Sequence, residues 1–175
     1  QGIQAVGLSG LDAAILKGER KTKLIAVDER GRKKVMDGGY TGKITNVNTE
    51  LLSLLLDKGY VPIVTPIALS QDFEPLNVDG DRTAATIAGA LKADKLILLT
   101  DVEGLMLKGE LVYKVTSTEV KEVLSSIGGG MSTKVHAGLE ALSHGVKEVL
   151  VTSGKIKQPI TCALNHQVGT VITSE

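Results

Sequence analysis

Three short stretches in this chain follow apolar runs and gather amides, carboxylates, glycines and a lysine. In Leu76-Asn-Val-Asp-Gly-Asp81, one amide and two carboxylates sit two residues apart at the start of a predicted helix. A helix start exposes unpaired N–H groups and partial positive charge, so acids there cap the helix and a bound anion does likewise. A single cap does not require three such residues and an intervening glycine. In Leu99-Thr-Asp-Val-Glu-Gly104 a run of Leu and Ile ends abruptly in Thr-Asp, a composition suited to holding a ribose or base. In Gly128-Gly-Gly-Met-Ser-Thr-Lys134 three glycines allow close backbone approach to a ligand. The expected helix cap there is Ser132, which would place Lys134 in the first helical turn. A cation there opposes the helix dipole unless an anion lies nearby. Together these features suit phosphate chemistry. The chain contains no G-x-x-x-x-G-K-S/T, no G-x-G-x-x-G after a strand and no protein-kinase catalytic loop, so the machinery is of another kind.

The elements that must position these loops alternate. Lys23 to Val27 and Lys33 to Met36 read as strands of a hairpin with the charged tip Asp-Glu-Arg-Gly-Arg. Val47, Leu51, Leu54 and Leu55 recur at helical spacing, with Asn46 or Asn48 as cap and Gly59 as terminator. Buried strands are predicted at Val61 to Thr65, Lys95 to Thr100 and Val146 to Thr152, with a helix from Asp81 to Leu91. Val112 to Val115 reads as an edge strand, Ser117 and Ser132 as caps of helices ending near Ile127 and His144, Pro159 as a helix start, and Thr170-Val-Ile as a terminal strand. Such alternation predicts an α/β fold with a mostly parallel sheet covered on both faces and ligands at the carboxyl ends of strands.

Composition narrows the function classes. The 175 residues are 42% hydrophobic, enough for one globular unit with a sizeable core. Twenty basic and twenty acidic residues leave no net charge, so neither nucleic acid nor an anionic membrane is an expected partner. One cysteine, Cys162, and three histidines argue against a disulfide framework and a metal centre, and a reducing, cytoplasmic setting is expected. The amino terminus lacks a basic segment and Met, and reads as the middle of a longer chain.

In order and interval, Asn77-Val-Asp-Gly-Asp81, Thr100-Asp-Val-Glu-Gly104 and Gly129-Gly-Met-Ser-Thr-Lys134 resemble the signature of the amino acid kinase family, which includes acetylglutamate kinase, carbamate kinase, aspartokinase and UMP kinase. The resemblance runs from Val6-Gly-Leu-Ser-Gly10 to the last strand. Gly7-Leu-Ser-Gly-Leu-Asp12, Arg20-Lys21 and Gly39-Tyr-Thr-Gly42 resemble the branch acting on aminoadipate or glutamate attached to a small acidic amino-group carrier protein. The resemblance implies a three-layer α/β sandwich, ATP with Mg²⁺, and transfer of a phosphoryl group to a side-chain carboxylate in lysine or arginine biosynthesis. It implies that Lys134 neutralises the transferring γ-phosphoryl group, that Asp81 orients the catalytic lysines and that Asn77 holds the α-side of the amino-acid substrate. Thr100, Asp101, Gly104, Gly129 and Met131 are implied to line the ATP site. Residues 1–75 would then end a substrate-binding part and 76–175 form an ATP-binding part, together one unit. The family's Lys-x-Gly-Gly strand, its Gly-Gly-Gly loop and an upstream Arg are not in this sequence, so activity and a homodimer are expected of an intact parent chain and not of this segment alone.

Eight of the twenty basic residues lie between Lys17 and Lys34, against Glu19, Asp28 and Glu29. A charge run is ordinarily a solvated surface. With an acidic carrier implied, Arg20, Lys21, Arg32 and Lys33 are the expected docking cations. The alternatives are N-acetyl-L-glutamate as acceptor, or a non-catalytic nucleotide-binding module.

Overall fold

The structure is a computed structural model that describes residues 2–27, 32–124 and 127–175. It divides into two compact units, Gln1–Thr83 and Ala84–Glu175.

The first unit contains β1 (Ala5–Ser9), β2 (Leu16–Arg20), β3 (Lys23–Val27), β4 (Lys33–Asp37), β5 (Gly42–Val47), α1 (Glu50–Asp57), β6 (Val61–Thr65), β7 (Ile67–Leu69), β8 (Pro75–Asn77) and the start of α2 (Gly80–Ala90). The predicted hairpin is β3 against β4, antiparallel, with Lys23 opposite Asp37 and Val27 opposite Lys33. Its tip, 28–31 including Arg30, lies outside the described residues. The helix predicted from the leucine spacing is α1, and Asn48 Oδ1 accepts the Glu50 N–H at 3.2 Å at its start. Val47 ends β5 instead of joining that helix. Val61–Thr65 is a strand as expected, but it is not buried. Among the described residues it pairs with β1 alone, and Val61 and Ile63 are 45% and 57% exposed. A second sheet in this unit has the order β5-β2-β7-β8. Leu76 on β8 is fully buried in the space left by glycine at 42, where an added Cβ would come within 2.8 Å of the Leu76 Cβ. That packing seats β8 and with it Asn77.

The second unit contains the rest of α2, β9 (Lys95–Thr100), β10 (Met106–Leu107), β11 (Glu110–Leu111), β12 (Lys114–Thr116), α3 (Ser117–Val123), α4 (Gly129–Ser143), β13 (Glu148–Ser153), α5 (Pro159–Leu164) and β14 (Thr170–Thr173). Its four-stranded sheet has the order β12-β14-β13-β9. β13 runs parallel to β9, and β12 parallel to β14, while β14 runs antiparallel to β13. One face buries Leu96, Leu98, Val149, Val151 and Ile172 against Val135 and Ala141 of α4 and Ala85 and Ala88 of α2. The other buries Leu150 and Val171 against Ala163 of α5. Both faces are thus covered, as the apolar runs of β9 and β13 require.

Three expected caps differ. The cap residue of α1 is Thr49, which makes no side-chain capping bond, while Asn46 lies within β5. The cap of α3 is Thr116, in a capping box with Glu119, because the Thr116 hydroxyl accepts the Glu119 N–H and Glu119 accepts in return from the Thr116 N–H at 2.8 Å. α4 begins at Gly129 after Gly128, three residues before Ser132. The edge strand predicted at Val112 to Val115 is shifted to Lys114–Thr116.

At the amino ends of β9 and β13, Lys95 pairs with Glu148, and His166 Nε2 lies 3.0 Å from the same carboxylate oxygen. The Lys95 hydrogen bond, opposed by burial and aided by the His166 ring, holds the Glu148 carboxyl below the usual range. Among the described residues, Thr152 Oγ1 is a buried side-chain oxygen with no hydrogen-bond partner, on a residue 1% exposed. Removing an orphaned hydroxyl without leaving a void stabilises a core. Thr152→Val is therefore expected to raise unfolding stability by about 1 kcal/mol, measured by denaturant titration. An unchanged midpoint would mean that water satisfies the hydroxyl.

Candidate functional site

The acidic stretch 76–81 splits into separate tasks. Asn77 ends β8, and its N–H donates to the Tyr40 carbonyl at 2.8 Å, which ties it to the Gly39-Tyr-Thr-Gly42 segment. Asp79 is the residue before α2, and its Oδ1 accepts the Arg82 N–H at 2.9 Å while its carbonyl accepts the Thr83 N–H at 2.9 Å. Asp79 therefore caps the helix. Asp81 is half-buried in the first turn.

In the second unit, β9 ends at Thr100, in register with Ser153 at the end of β13. Thr100 Oγ1 donates to Asp101 Oδ1 at 3.3 Å, and Asp101 is exposed. Gly104 is buried, and a Cβ there would lie 2.7 Å from Thr170 Oγ1 and 2.9 Å from Leu111 Cδ1. Thr170 Oγ1 in turn accepts the Leu105 N–H at 2.8 Å and donates to the Val112 carbonyl at 2.6 Å. Close packing on Thr170 thus accounts for glycine at 104 and anchors the far end of the 100–104 loop.

The glycines before α4 behave in the opposite way. Among the described residues, nothing lies within 4 Å of a Cβ added at Gly128, Gly129 or Gly130, so none of their packing demands glycine at these positions. Gly129 has φ +58°, which a side chain adopts only with strain. Gly128, at the cap position, offers no side chain to the first turn, and that turn holds no acid. The first N–H groups of α4 therefore lack a side-chain cap in a region open enough for an anion to reach. Met131 is half-buried in that turn, and Lys134 lies in the second turn, half-buried. The expected first-turn position of Lys134 follows from placing the cap at Ser132. With the helix starting earlier, the dipole argument weakens and the open glycine turn carries the case for phosphate.

The hairpin cations are not equivalent. Arg20 Nε donates to the Gly39 carbonyl at 2.5 Å, its guanidinium carbon lies 4.9 Å from the Tyr40 ring centroid, and one terminal nitrogen is 3.8 Å from Glu74 Oε2. Arg20 clamps the base of the hairpin to its own chain. Lys21 is half-buried, while Arg32 and Lys33 are exposed. Sequence reasoning missed the Arg20 clamp because its partners lie 19, 20 and 54 positions away.

A family model described as "Amino acid kinase family" matches residues 1–153. The LysW-aminoadipate/LysW-glutamate kinase of Sulfolobus acidocaldarius is 47% identical over 169 residues, 96% of this chain and 64% of that protein. A protein of Cenarchaeum symbiosum that bears this name in provisional form is 50% identical over 98% of this chain and 64% of its own length. The chain thus spans about two thirds of the length of these relatives. Among solved structures, N-acetylglutamate synthase from Neisseria gonorrhoeae superposes with a TM-score of 0.82 at 23% identity, covering 100% of this chain and 39% of that one. Carbamate kinase from Giardia lamblia superposes at 0.68 and 18% identity, covering 98% and 66%. These likenesses agree with the α/β fold built above.

Proposed function

This chain belongs to the amino acid kinase family, and from that premise we propose that its protein is an ATP-dependent kinase for the side-chain carboxylate of L-2-aminoadipate or L-glutamate carried on a small acidic amino-group carrier protein. The observation that carries the phosphoryl-transfer part is the open, uncapped glycine turn at Gly128–Gly130 leading into Lys134. The names of the relatives support the acceptor, and the proposed role of the reaction is in lysine or arginine biosynthesis.

In the proposed reaction a carboxylate oxygen of the acceptor attacks the γ-phosphorus, the bond from that phosphorus to the β,γ-bridging oxygen breaks, and ADP leaves as the acyl phosphate forms. Such a step needs positioning and charge neutralisation more than covalent catalysis. Lys134 supplies the charge at the γ-phosphoryl group, with the backbone of Gly129 and Met131 beside the phosphates. Thr100, Asp101 and Gly104 border the adenosine, with the Gly104 contribution confined to backbone. Asp81 is the organiser of the catalytic lysines, and Asn77 holds the α-side of the amino acid. Mg²⁺ rides on the ATP phosphates and water. No group of three or more His, Cys, Asp or Glu among the described residues is placed to hold the ion. Residues 1–75, together with Asn77, serve the substrate, and the rest of 76–175 serves the nucleotide.

Offering ATP with each acceptor to the intact parent chain and trapping the acyl phosphate with hydroxylamine tests the reading. Hydroxamate from the carrier-bound amino acids is the expected result. Hydroxamate only from N-acetyl-L-glutamate would make the protein an acetylglutamate kinase. Nucleotide binding without turnover on any acceptor would make it a binding module.

Arg32 and Lys33 at the tip end of the hairpin, with Lys21 at its base, are the proposed docking surface for the carrier, while Arg20 holds the hairpin in place. Arg32→Glu with Lys33→Glu is expected to raise KM for the carrier about tenfold and leave KM for ATP unchanged, since steering acts on the encounter of two charged surfaces. A salt-independent KM for the carrier would exclude this role.

A further inference from the structure

We infer that Lys155 and Lys157, on the turn after β13, form a second cationic contact for the phosphate chain of the nucleotide, an inference that rests on the nucleotide reading above. β13 and β9 run in parallel with Ser153 in register with Thr100, so both segments leave the sheet at the same edge. The Gly154 N–H then donates to the Thr100 carbonyl at 2.8 Å. This bond pins the start of the 154–158 turn to the start of the 100–104 loop, which is the loop assigned to adenosine. The Lys155 N–H donates back to Ser153 Oγ at 3.2 Å, so the chain bends immediately beyond the staple instead of running away from the sheet. The backbone position of Lys155 is thereby fixed by two hydrogen bonds, one on either side of Gly154.

Both lysines are exposed, and among the described residues no carboxylate lies within ion-pair distance of either. Contrast the amino ends of the same two strands, where Lys95 and Lys147 are each paired with an acid, Glu148 and Asp94. The carboxyl ends carry two cations two residues apart that repel one another and meet no such partner. An ammonium group donates hydrogen bonds and accepts none. Phosphate, which is anionic and only accepts, matches this pair better than adenine or ribose. The carboxyl edge of parallel strands is also where an α/β sheet seats its ligands.

Titrating ATP, ADP and adenosine calorimetrically into the full chain, with and without Lys155→Gln and Lys157→Gln together, tests the inference. The expected result is about tenfold weaker binding of ATP and ADP with adenosine changed by less than about twofold, because charge-assisted hydrogen bonds are lost only where phosphates are present. Replacing both lysines by arginine should restore most of the affinity. Unchanged ATP affinity overturns the inference. An equal loss for adenosine and ATP also overturns it, since that marks a distorted loop. Lys134→Ala measured alongside separates the two levels of argument: if it too leaves ATP binding intact, the nucleotide reading itself falls and this inference with it.

Discussion

Lys134→Ala is expected to lower the turnover of the full kinase by about 10²–10³-fold, the loss seen when one preorganised charge-stabilising group is removed from a transition state. The variant should fold normally, for two reasons. Lys134 stands in the second turn of α4, where alanine is the most favourable helix residue, and the anchoring of that helix comes from its neighbours Val135, Ala137 and Ala141, all fully buried. A thermal unfolding midpoint close to that of the parent, together with collapsed kcat, is therefore the expected pair of readouts. Lys134→Arg keeps the charge but changes the donor geometry, so partial activity is expected from it. Should Lys134→Ala retain more than about a tenth of kcat, the transferring phosphoryl group is not what this lysine serves. The result also bears on the glycine turn at Gly129 and Gly130, because a phosphate held there is the proposed partner of Lys134.

Gly104→Ala is expected to act through the fold first, destabilising the protein by about 2–3 kcal/mol, within the range for overpacking a well-filled site. An alanine Cβ would stand 2.7 Å from Thr170 Oγ1, closer than real contacts allow, and a tight 3.1 Å from the Thr170 N–H nitrogen. Relief requires displacing Thr170, which would break its bonds to Leu105 and Val112 together. Urea unfolding of Gly104→Ala measures the effect, and a control at Gly130, where an added Cβ meets nothing, should cost well under half as much. Equal stabilities for the two variants would show that the 100–104 loop yields more easily than its packing indicates. This contrast separates two kinds of glycine that look alike in a motif: one excluded from having a side chain by its neighbours, the other left bare in open space.

Local pattern made much of this protein legible before its structure. The strand Lys95–Thr100 appears with the predicted bounds, because a run of Leu and Ile bracketed by Lys and Thr-Asp has no other economical fate in an α/β chain. The hairpin of β3 and β4, the leucine helix α1 and the Pro159 start of α5 were equally readable from spacing and turn residues. So were the three loops, since their order and intervals are properties of the linear chain. Tertiary structure alone decided the rest. That β14 runs antiparallel to β13, and that β6 pairs with β1, depends on pairing choices that hydrophobic period does not encode. Asp79 rather than Asp81 caps α2, and Gly128 rather than Ser132 precedes α4, because a cap is defined by where the backbone turns, which several neighbouring residues could have satisfied. The commitment of Arg20 to Gly39, Tyr40 and Glu74, and of Gly104 to Thr170, follows from contacts between residues far apart in the chain. Periodicity reports the geometry of a single element, whereas close approach and charge pairing are settled only when distant elements share the same space.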